Sequence, residues 1–252
     1  MATTEIAAQM LGKLPVRTDV RTLALARYVD SSRLPSPPDA FEETSGVDSW
    51  PMYANDRIGD CTTAAAAHMI EAWTAAGQGQ TILLTERDVL DAFDDVKLTD
   101  PVTGEDGAIE LDVLRYWRKT GIGGHDIGAY ARVAVWDKRL VQTAAWLFGG
   151  LYIGLQMPQT AHTQSVWDWT GSLVGPARPG SWGGHAVDVV RYDKNGLTVV
   201  TWGRLQELTW SFWARYCDEA YCILSDDFLT KGLAPNGFDL AALEADLALV
   251  TA

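Results

Sequence analysis

The stretch from Cys61 to Trp73, CTTAAAAHMIEAW, is the feature that most constrains the fold. Its side chains leave almost no polar side, and a helix that is apolar all round must be buried. Asp60 stands where it can cap the first turn, and Gly77 is the kind of residue that ends a helix. We therefore expect a central helix that begins near Asp60, ends at Gly77 and is covered on every side.

The other predicted elements are distributed unevenly along the chain. Thr85 opens T-E-R-D, a capping box for a second helix, and a third helix is predicted over residues 111–120. After a helix that ends at Gly149, the chain is typical of strands over 151–157, 185–192, 197–202 and 219–225, with a helix over 208–217. The turn DKNG predicts a hairpin. Helices followed by strands predict an α+β fold with two lobes.

Charge and hydropathy exclude several classes of partner. The 252 residues carry a formal net charge of −13, which repels nucleic acid and anionic lipid, so we expect neither nucleic acid nor a membrane as partner. No apolar run approaches the ~20 residues that a bilayer requires. The N-terminus lacks the basic start and apolar core of a signal peptide. These features predict a cytoplasmic protein.

The cysteines and histidines predict neither a disulfide framework nor a metal site. Cys61, Cys217 and Cys222 are an odd and sparse set, and the four histidines are scattered without ligand spacing. We therefore expect no metal and no cofactor.

Cys61 is either a small buried side chain or a nucleophile. Cys61 begins a helix, and the dipole of a helix lowers the pKa of a thiol at the helix N-terminus. The thiolate is the reactive form. His185 follows a glycine-rich approach in GSWGGHAVDVV and starts a predicted strand, at the rim where a cleft would lie. A thiol and an imidazole on separate rigid elements are what nucleophilic catalysis needs. The alternative for His185 is a hydrogen-bonded histidine at a strand end.

The motifs around Cys61 and His185 resemble those of the papain-like cysteine peptidase superfamily. In that family an oxyanion-hole glutamine lies six residues before the cysteine, and Asn55 stands at that place. GGHAVDVVRYDKNGLTVVTWG resembles the family's histidine hairpin, whose tryptophan shields the catalytic hydrogen bonds, and Trp202 matches it. The resemblance covers roughly residues 51–225. It implies a papain-like two-lobed fold, with a helical lobe that carries Cys61 and an antiparallel β lobe that carries His185.

The chain departs from the family where the histidine is oriented. The family has an asparagine two residues before the tryptophan, whereas this chain has Val200, followed by Thr201. Adjacent strand residues face opposite sides, so at most one of the two points at His185, and only Thr201 can hydrogen-bond it. The catalytic set implied by the resemblance is Cys61, His185, Asn55, Thr201 and Trp202.

Three further polar residues have less direct roles. Asp60 places a carboxylate beside the thiol, which disfavours the thiolate, although it is better interpreted as the helix cap. His68 lies about 10 Å along the helix from Cys61, too far for a catalytic pair, and is predicted to be a core or interface residue. Asp188 is predicted to face away from His185 as a solvated or locally paired carboxylate.

The domain organisation predicted from these features has three parts. Residues 1–50 form an extended N-terminal arm, interrupted by prolines and held by the body of the protein or by a neighbouring subunit. Residues 51–226 form the papain-like domain, with a helical lobe over about 51–125 and a β lobe over about 126–226. Residues 227–252 form a helical tail.

Two functions follow. The first is hydrolysis of peptide or amide bonds, with Cys61 as nucleophile and a peptide or protein as substrate. The second is a catalytically weak or inactive papain-like protein with a structural role, in which the arm binds a protein partner or a second copy. The chain is also similar to bacterial and phage-encoded proteins that share NDRxGDC and GGHAV motifs, which raises a virion component as a form of the second function.

Overall fold

The computed structural model describes residues 9–27, 36–101 and 103–228. Its central helix, α1 (Cys61–Gln78), is buried from Cys61 to Ala75, as its apolar sequence predicted. The predicted end at Gly77 was wrong. Gly79, with φ of 67°, is the left-handed residue that terminates α1, whereas Gly77 stays helical and lies against the chain at Asp227. A Cβ on Gly77 would be 2.7 Å from the Asp227 carbonyl oxygen, so this glycine serves close packing.

The predicted Asp60 cap was also wrong. Its side chain makes no capping hydrogen bond, because its backbone (φ −90°, ψ 14°) lacks the extended conformation typical of a capping residue. The capping box of the second helix is confirmed: Thr85 and Asp88 exchange hydrogen bonds at the start of α2 (Glu86–Val96). The third helix, α3 (Glu110–Lys119), packs beside α1, where Trp117 stacks on Trp73 with ring centroids 5.7 Å apart.

The second half of the chain, together with one short strand from the N-terminal arm, forms the main sheet, and this confirms an α+β fold. In chain order its strands are β1 (Phe41–Glu42), β4 (Ala129–Arg132), β5 (Leu151–Met157), β6 (Val166–Trp167), β7 (Gly183–Tyr192), β8 (Gly196–Thr201), β9 (Arg204–Thr209) and β10 (Cys217–Leu224). A separate two-stranded pair joins β2 (Leu98–Thr99) to β3 (Asp106–Gly107). The main path runs β4-β10-β5-β7-β8-β9-β6, with β1 beside β7, and within the described residues only β6 with β9 is parallel.

Two helices cover the sheet, α4 (Lys138–Leu147) and α5 (Trp210–Tyr216). The helix predicted over 208–217 begins later than expected, because the Thr209 hydroxyl accepts the Phe212 N–H and so caps α5. The preceding residues form β9, which the sequence analysis did not predict. One face of the sheet packs with α4 and α5, and α1 lies against β7 on the other side.

The N-terminal arm is attached to the body at several described points. Phe41 and Glu42 pair with β7, and the Lys13 N–H donates to the Gly184 carbonyl oxygen. The domain boundaries near 50 and 226 stay predictions, and the predicted C-terminal helix lies outside the described residues. No helix in the described part of the chain combines the length and the apolar character needed to cross a bilayer.

Candidate active site

The start of α1 and the third residue of β7 bring Cys61 and His185 to one cavity. Both residues are buried, with 1 % of their surface exposed. The cavity measures about 10 Å³, barely the volume that one water molecule needs. All five predicted site residues line it: Asn55, Cys61, His185, Thr201 and Trp202.

Thr201 occupies the position of an orienting residue for the imidazole. Its Oγ1 lies 2.6 Å from His185 Nε2, at the end of β8. The neighbouring Val200 packs with Ala72 and Val190 and contributes only apolar surface to the cavity. His185 Nδ1 is buried and has no hydrogen-bond partner among the described residues. The ring is therefore held at one nitrogen and has the other free within the cavity.

Trp202 covers the imidazole. The two rings stack with centroids 4.4 Å apart and an interplanar angle of 13°, and Trp182 lies against the indole at 5.6 Å. Trp202 has φ of 45°, a conformation that side-chain-bearing residues rarely adopt. This left-handed turn directs the indole back over His185 and keeps water from the ring.

Asn55 lies at the end of a strained turn before α1. Tyr53 and Ala54 have φ of 53° and 72°, so with Trp202 every described non-glycine residue with positive φ flanks this cavity. Such conformations cost of order 1–3 kcal/mol and persist where the surrounding structure enforces them. The Asn55 Nδ2 donates to the Ile58 carbonyl oxygen at 3.2 Å, which uses one of its two N–H groups. The Asn55 side chain also interacts with the neighbouring Asp60 carboxyl.

Burial controls the charge of the cysteine–histidine pair. It raises the pKa of the Cys61 thiol to about 12, although N–H groups of Ala186 and Gly12 partly offset the rise. Burial also lowers the pKa of His185 to about 3. The expectation that the helix N-terminus lowers the thiol pKa is therefore wrong for this arrangement, because loss of hydration outweighs the dipole. The pair is a neutral thiol beside a neutral imidazole.

Asp60 is also predominantly neutral near pH 7. Burial raises the pKa of its carboxyl from 3.8 to about 8, and neighbouring Asn55 offsets part of the rise. The expected carboxylate beside the thiol is thus largely absent at neutral pH. The raised value means that the folded protein binds a proton that the unfolded chain releases between about pH 4 and pH 8.

Replacing Asp60 with asparagine is therefore expected to stabilise the protein at alkaline pH. The folded pKa lies above the unfolded one, so Asp60 destabilises the fold increasingly as pH rises from about 4 to 8. The stability gained by Asp60→Asn should grow by up to ~1.4 kcal/mol per pH unit in that window. Urea unfolding at several pH values measures it, with the exposed Asp226→Asn as control. A gain that does not change with pH would contradict the raised pKa.

The N-terminal arm occupies the groove above Cys61. Met10 donates its N–H to the Asn55 carbonyl oxygen at 3.0 Å, and its own carbonyl oxygen accepts the Trp202 Nε1–H at 3.1 Å. The Gly12 N–H points to the Cys61 sulfur, and its carbonyl oxygen accepts the Ala108 N–H. The arm therefore presents a hydrogen-bond donor to the sulfur, and its Gly12 carbonyl is engaged elsewhere.

Glycines on the body allow the arm to approach so closely. A Cβ on Gly107 or Gly184 would overlap the carbonyl oxygen of Gly12 or Lys13, respectively. Gly12 and Gly59 pack against each other, and a Cβ on Gly12 would overlap the Gly59 carbonyl group. These contacts form a groove, here called the glycine groove (Gly59, Gly107 and Gly184), that fits an extended main chain.

His68 and Asp188 lie outside the catalytic pair but not in solvent. His68 is buried, as expected, and its Nε2 lies 2.8 Å from the Pro51 carbonyl oxygen, while burial lowers its pKa to about 4. Asp188 is not solvated, but its Oδ1 lies 4.0 Å from His68 Nδ1, which agrees with the alternative of a locally paired carboxyl. It is 1 % exposed, its carboxyl has no hydrogen-bond partner among the described residues, and burial raises its pKa. A neutral carboxyl tolerates this apolar packing, whereas a carboxylate would not.

The contribution of the arm to this site is not apparent from the sequence. Gly12 and Lys13 lie some fifty residues before Cys61, and neither belongs to a motif. The one available signal was indirect: the glycines in R-I-G-D-C and W-G-G-H predict close backbone approach, without indicating which segment approaches. Within the described ranges, no group of His, Cys, Asp and Glu side chains is arranged to hold a metal ion.

Comparison with known proteins gives structural matches only. No family model and no curated protein sequence matches the chain. Xylellain, a cysteine protease from Xylella fastidiosa, matches with a TM-score of 0.63 at 15% identity, covering 89% of this chain and 99% of that one. Procathepsin B from Trypanosoma congolense matches with a TM-score of 0.60 at 12% identity, covering 86% of each chain. Procathepsin L 3 from Tenebrio molitor larval midgut matches with a TM-score of 0.54 at 13% identity, covering 86% and 76%. These matches confirm the papain-like fold.

Proposed function

We propose that the chain is a cysteine-nucleophile hydrolase of peptide or amide bonds, with Cys61 as nucleophile and His185 as its base. One observation carries the proposal. Cys61 and His185 share a closed cavity in which the imidazole is fixed at Nε2 by Thr201, while Nδ1 has no partner among the described residues. The papain-like fold and the match to proteases such as xylellain support the same chemistry.

In the first step His185 Nδ1 takes the thiol proton as the Cys61 sulfur attacks the carbonyl carbon. We assign the ring proton of neutral His185 to Nε2, from which it is donated to Thr201 Oγ1, so that the Nδ1 lone pair is free to act as base. A carbon–sulfur bond forms, and the carbonyl oxygen becomes an oxyanion. The donors for that oxyanion are the Cys61 backbone N–H at the start of α1 and the Asn55 amide, which exchanges its contact with the Asp60 carboxyl for the oxyanion.

In the second step the imidazolium returns its proton to the leaving amine as the carbon–nitrogen bond breaks. The acyl group remains on Cys61 as a thioester. Water, deprotonated by the same His185 nitrogen, then attacks the thioester, releases the carboxylic acid and restores the thiol. Trp202 covers the imidazole through both steps and keeps bulk water from the hydrogen bond between His185 and Thr201.

The arm defines a closed form of this enzyme. With Met10 and Gly12 in the glycine groove, no substrate can reach the sulfur, and the buried thiol stays protonated. Two of the matched proteins are proenzymes by name. We therefore assign the arm an inhibitory role in this chain, so that hydrolysis requires residues 10–14 to leave the groove.

Hydrolysis of a denatured protein substrate tests the proposal directly. We expect cleavage by the full-length Gly12→Ala protein, in which the added Cβ displaces the arm from the groove. Adding Cys61→Ala should abolish cleavage completely. Cys222→Ala is the matched control, because that cysteine is buried in β10 away from the cavity. Cleavage that persists in Cys61→Ala would refute the assignment of the nucleophile.

Thr201→Val is expected to lower kcat about tenfold while KM stays near its original value. Valine keeps the shape of threonine but removes the partner of His185 Nε2, at a cost of ~1.4 kcal/mol for one hydrogen bond. Steady-state kinetics on one peptide substrate measures the effect. Thr201→Ser should restore most of the rate, since it returns the hydroxyl. Equal rates for Thr201→Val and the parent would show that Thr201 does not position the ring.

A structural role is the second candidate, and the buried thiol favours it. A chain whose arm stays in the groove keeps a papain-like fold without chemistry and would serve a structural role. The proposed partner, a protein or a second copy bound through the arm, belongs to this reading, as does the virion role. Absence of cleavage and of Cys61 alkylation after displacement of the arm would favour it.

A further inference from the structure

A buried cation from the arm fills a pocket beside the candidate catalytic pair. The Lys13 side chain has no exposed surface, and its Nζ lies 3.1 Å from Asp218 Oδ2 and 2.9 Å from Glu219 Oε1. Burial alone would lower the pKa of Lys13, but Glu110, Glu219 and Asp218 together outweigh that effect and raise it. The ammonium is therefore held charged by side chains of the body.

The body builds this acidic pocket (Glu110, Asp218 and Glu219) with contacts of its own. Gln156 Nε2 donates to Asp218 Oδ2 at 2.6 Å, and the Tyr221 hydroxyl donates to Glu219 Oε2 at 2.8 Å. These bonds hold two carboxylates on β10 and involve no residue of the arm. Glu110, at the start of α3, is fully buried, and neither of its oxygens has a hydrogen-bond partner among the described residues.

Gly154 provides the space for the buried cation. A Cβ at this position in β5 would lie 2.8 Å from Asp218 Oδ1 and 2.9 Å from Glu110 Oε1, and it would overlap the Lys13 side chain. Those two oxygens, both without a hydrogen-bond partner among the described residues, thus converge on the volume that the lysine stem fills. Any other residue at 154 would fill this volume with its own side chain.

The acidic pocket lies one residue along the groove from the sulfur. Gly12 faces Cys61, and the next residue, Lys13, hydrogen-bonds through its N–H to the carbonyl oxygen of Gly184, which precedes His185. An extended chain in the glycine groove therefore has a side chain at the mouth of the pocket whenever a peptide group lies at the sulfur.

We propose that the acidic pocket binds a lysine or arginine side chain of the substrate next to the bond that is cleaved. The inference rests on the proposed function and specifies its substrate class as basic polypeptides. When the arm leaves, an apolar side chain would leave the Asp218 and Glu219 carboxylates unpaired, and an acidic one would be repelled, whereas a cation replaces the Lys13 ammonium. The net charge of −13 adds long-range attraction for basic chains.

Hydrolysis by the full-length Gly12→Ala/Lys13→Ala protein, in which the groove is vacated, tests the substrate class. Peptide amides that differ only in one side chain, lysine, arginine, norleucine or glutamate, are compared by kcat/KM. We expect the basic peptides to exceed norleucine by roughly 100-fold. Adding Glu219→Gln or Gly154→Ala should reduce that ratio at least ~10-fold, whereas Asp226→Asn should leave it unchanged. If the double variant does not fold, Gly12→Ala alone serves as parent.

Binding of a free arm peptide separates this inference from the proposed function. The peptide of residues 9–18, QMLGKLPVRT, is titrated into the same protein carrying Cys61→Ala, with tryptophan fluorescence as the readout. Replacing its lysine by norleucine should weaken binding roughly 100-fold. Hydrolysis without a basic preference overturns the inference and leaves the hydrolase intact. Peptide binding that requires lysine, without hydrolysis of any substrate, overturns the hydrolase and supports the pocket as a site for basic peptides. If neither hydrolysis nor binding of the arm peptide depends on a basic side chain, the acidic pocket is not a binding site for cations.

Discussion

Gly12→Ala is expected to raise the rate at which iodoacetamide alkylates Cys61 at about pH 7 by on the order of 10³-fold. The added Cβ would overlap the Gly59 carbonyl group, so the arm cannot stay in the glycine groove. Departure of the arm returns solvent to a sulfur whose pKa burial had raised to about 12. A thiol with an ordinary pKa has roughly 10³ times more thiolate at this pH, and the reagent also gains access.

Mass spectrometry of the Cys61 peptide follows this reaction, and the pH profile identifies its cause. In the parent, the rate should still rise with pH well above 9, since the folded thiol titrates near 12. In Gly12→Ala the rise should come at lower pH. Val20→Ala is the matched control, since Val20 lies on the same arm with 98% of its surface exposed. A Gly12→Ala protein that is folded and alkylated no faster than Val20→Ala would show that the arm does not close the site.

The two lobes and their order could be predicted because each depends on local pattern. The apolar run after Cys61 has one outcome, a buried helix, and the DKNG turn specifies the register that β7 and β8 adopt. The contact of Thr201 with His185 was also predictable. Only one of the adjacent strand residues Val200 and Thr201 can face the imidazole, and only threonine can hydrogen-bond it. These features depend on residues that are neighbours in sequence, so a pattern records them.

The protonation states and the arm could not be predicted because they depend on contacts distant in sequence. A helix N-terminus predicts a reactive thiol, but burial in the folded chain raises the thiol pKa instead. The acidic pocket joins Glu110 to Asp218 and Glu219, and the Lys13 that fills it comes from a third region of the chain. No spacing rule connects these residues, and only the folded chain brings them together.

His185→Ala is expected to lower hydrolysis by on the order of 10⁶-fold once the arm is displaced, a larger effect than any change at Thr201. The imidazole removes the thiol proton and later protonates the leaving amine, so its loss affects both halves of the reaction. Alkylation separates the first role from the second. With His185 present, the rate of Cys61 alkylation plotted against pH should show a plateau between two apparent pKa values, which belong to the coupled Cys61–His185 pair. In Gly12→Ala/His185→Ala it should instead rise through a single pKa near 8.5, the value of a free thiol.

The control for His185→Ala is His162→Ala, which removes an exposed imidazole on the rim of the same tryptophan cluster. Both variants lose a ring that packs on a tryptophan, His185 on Trp202 and His162 on Trp182. A general loss of packing would therefore affect both, whereas loss of the base affects His185→Ala alone. Identical pH profiles for Gly12→Ala with and without His185 would mean that imidazole and sulfur share a cavity without exchanging a proton, and the geometry would then serve the fold alone.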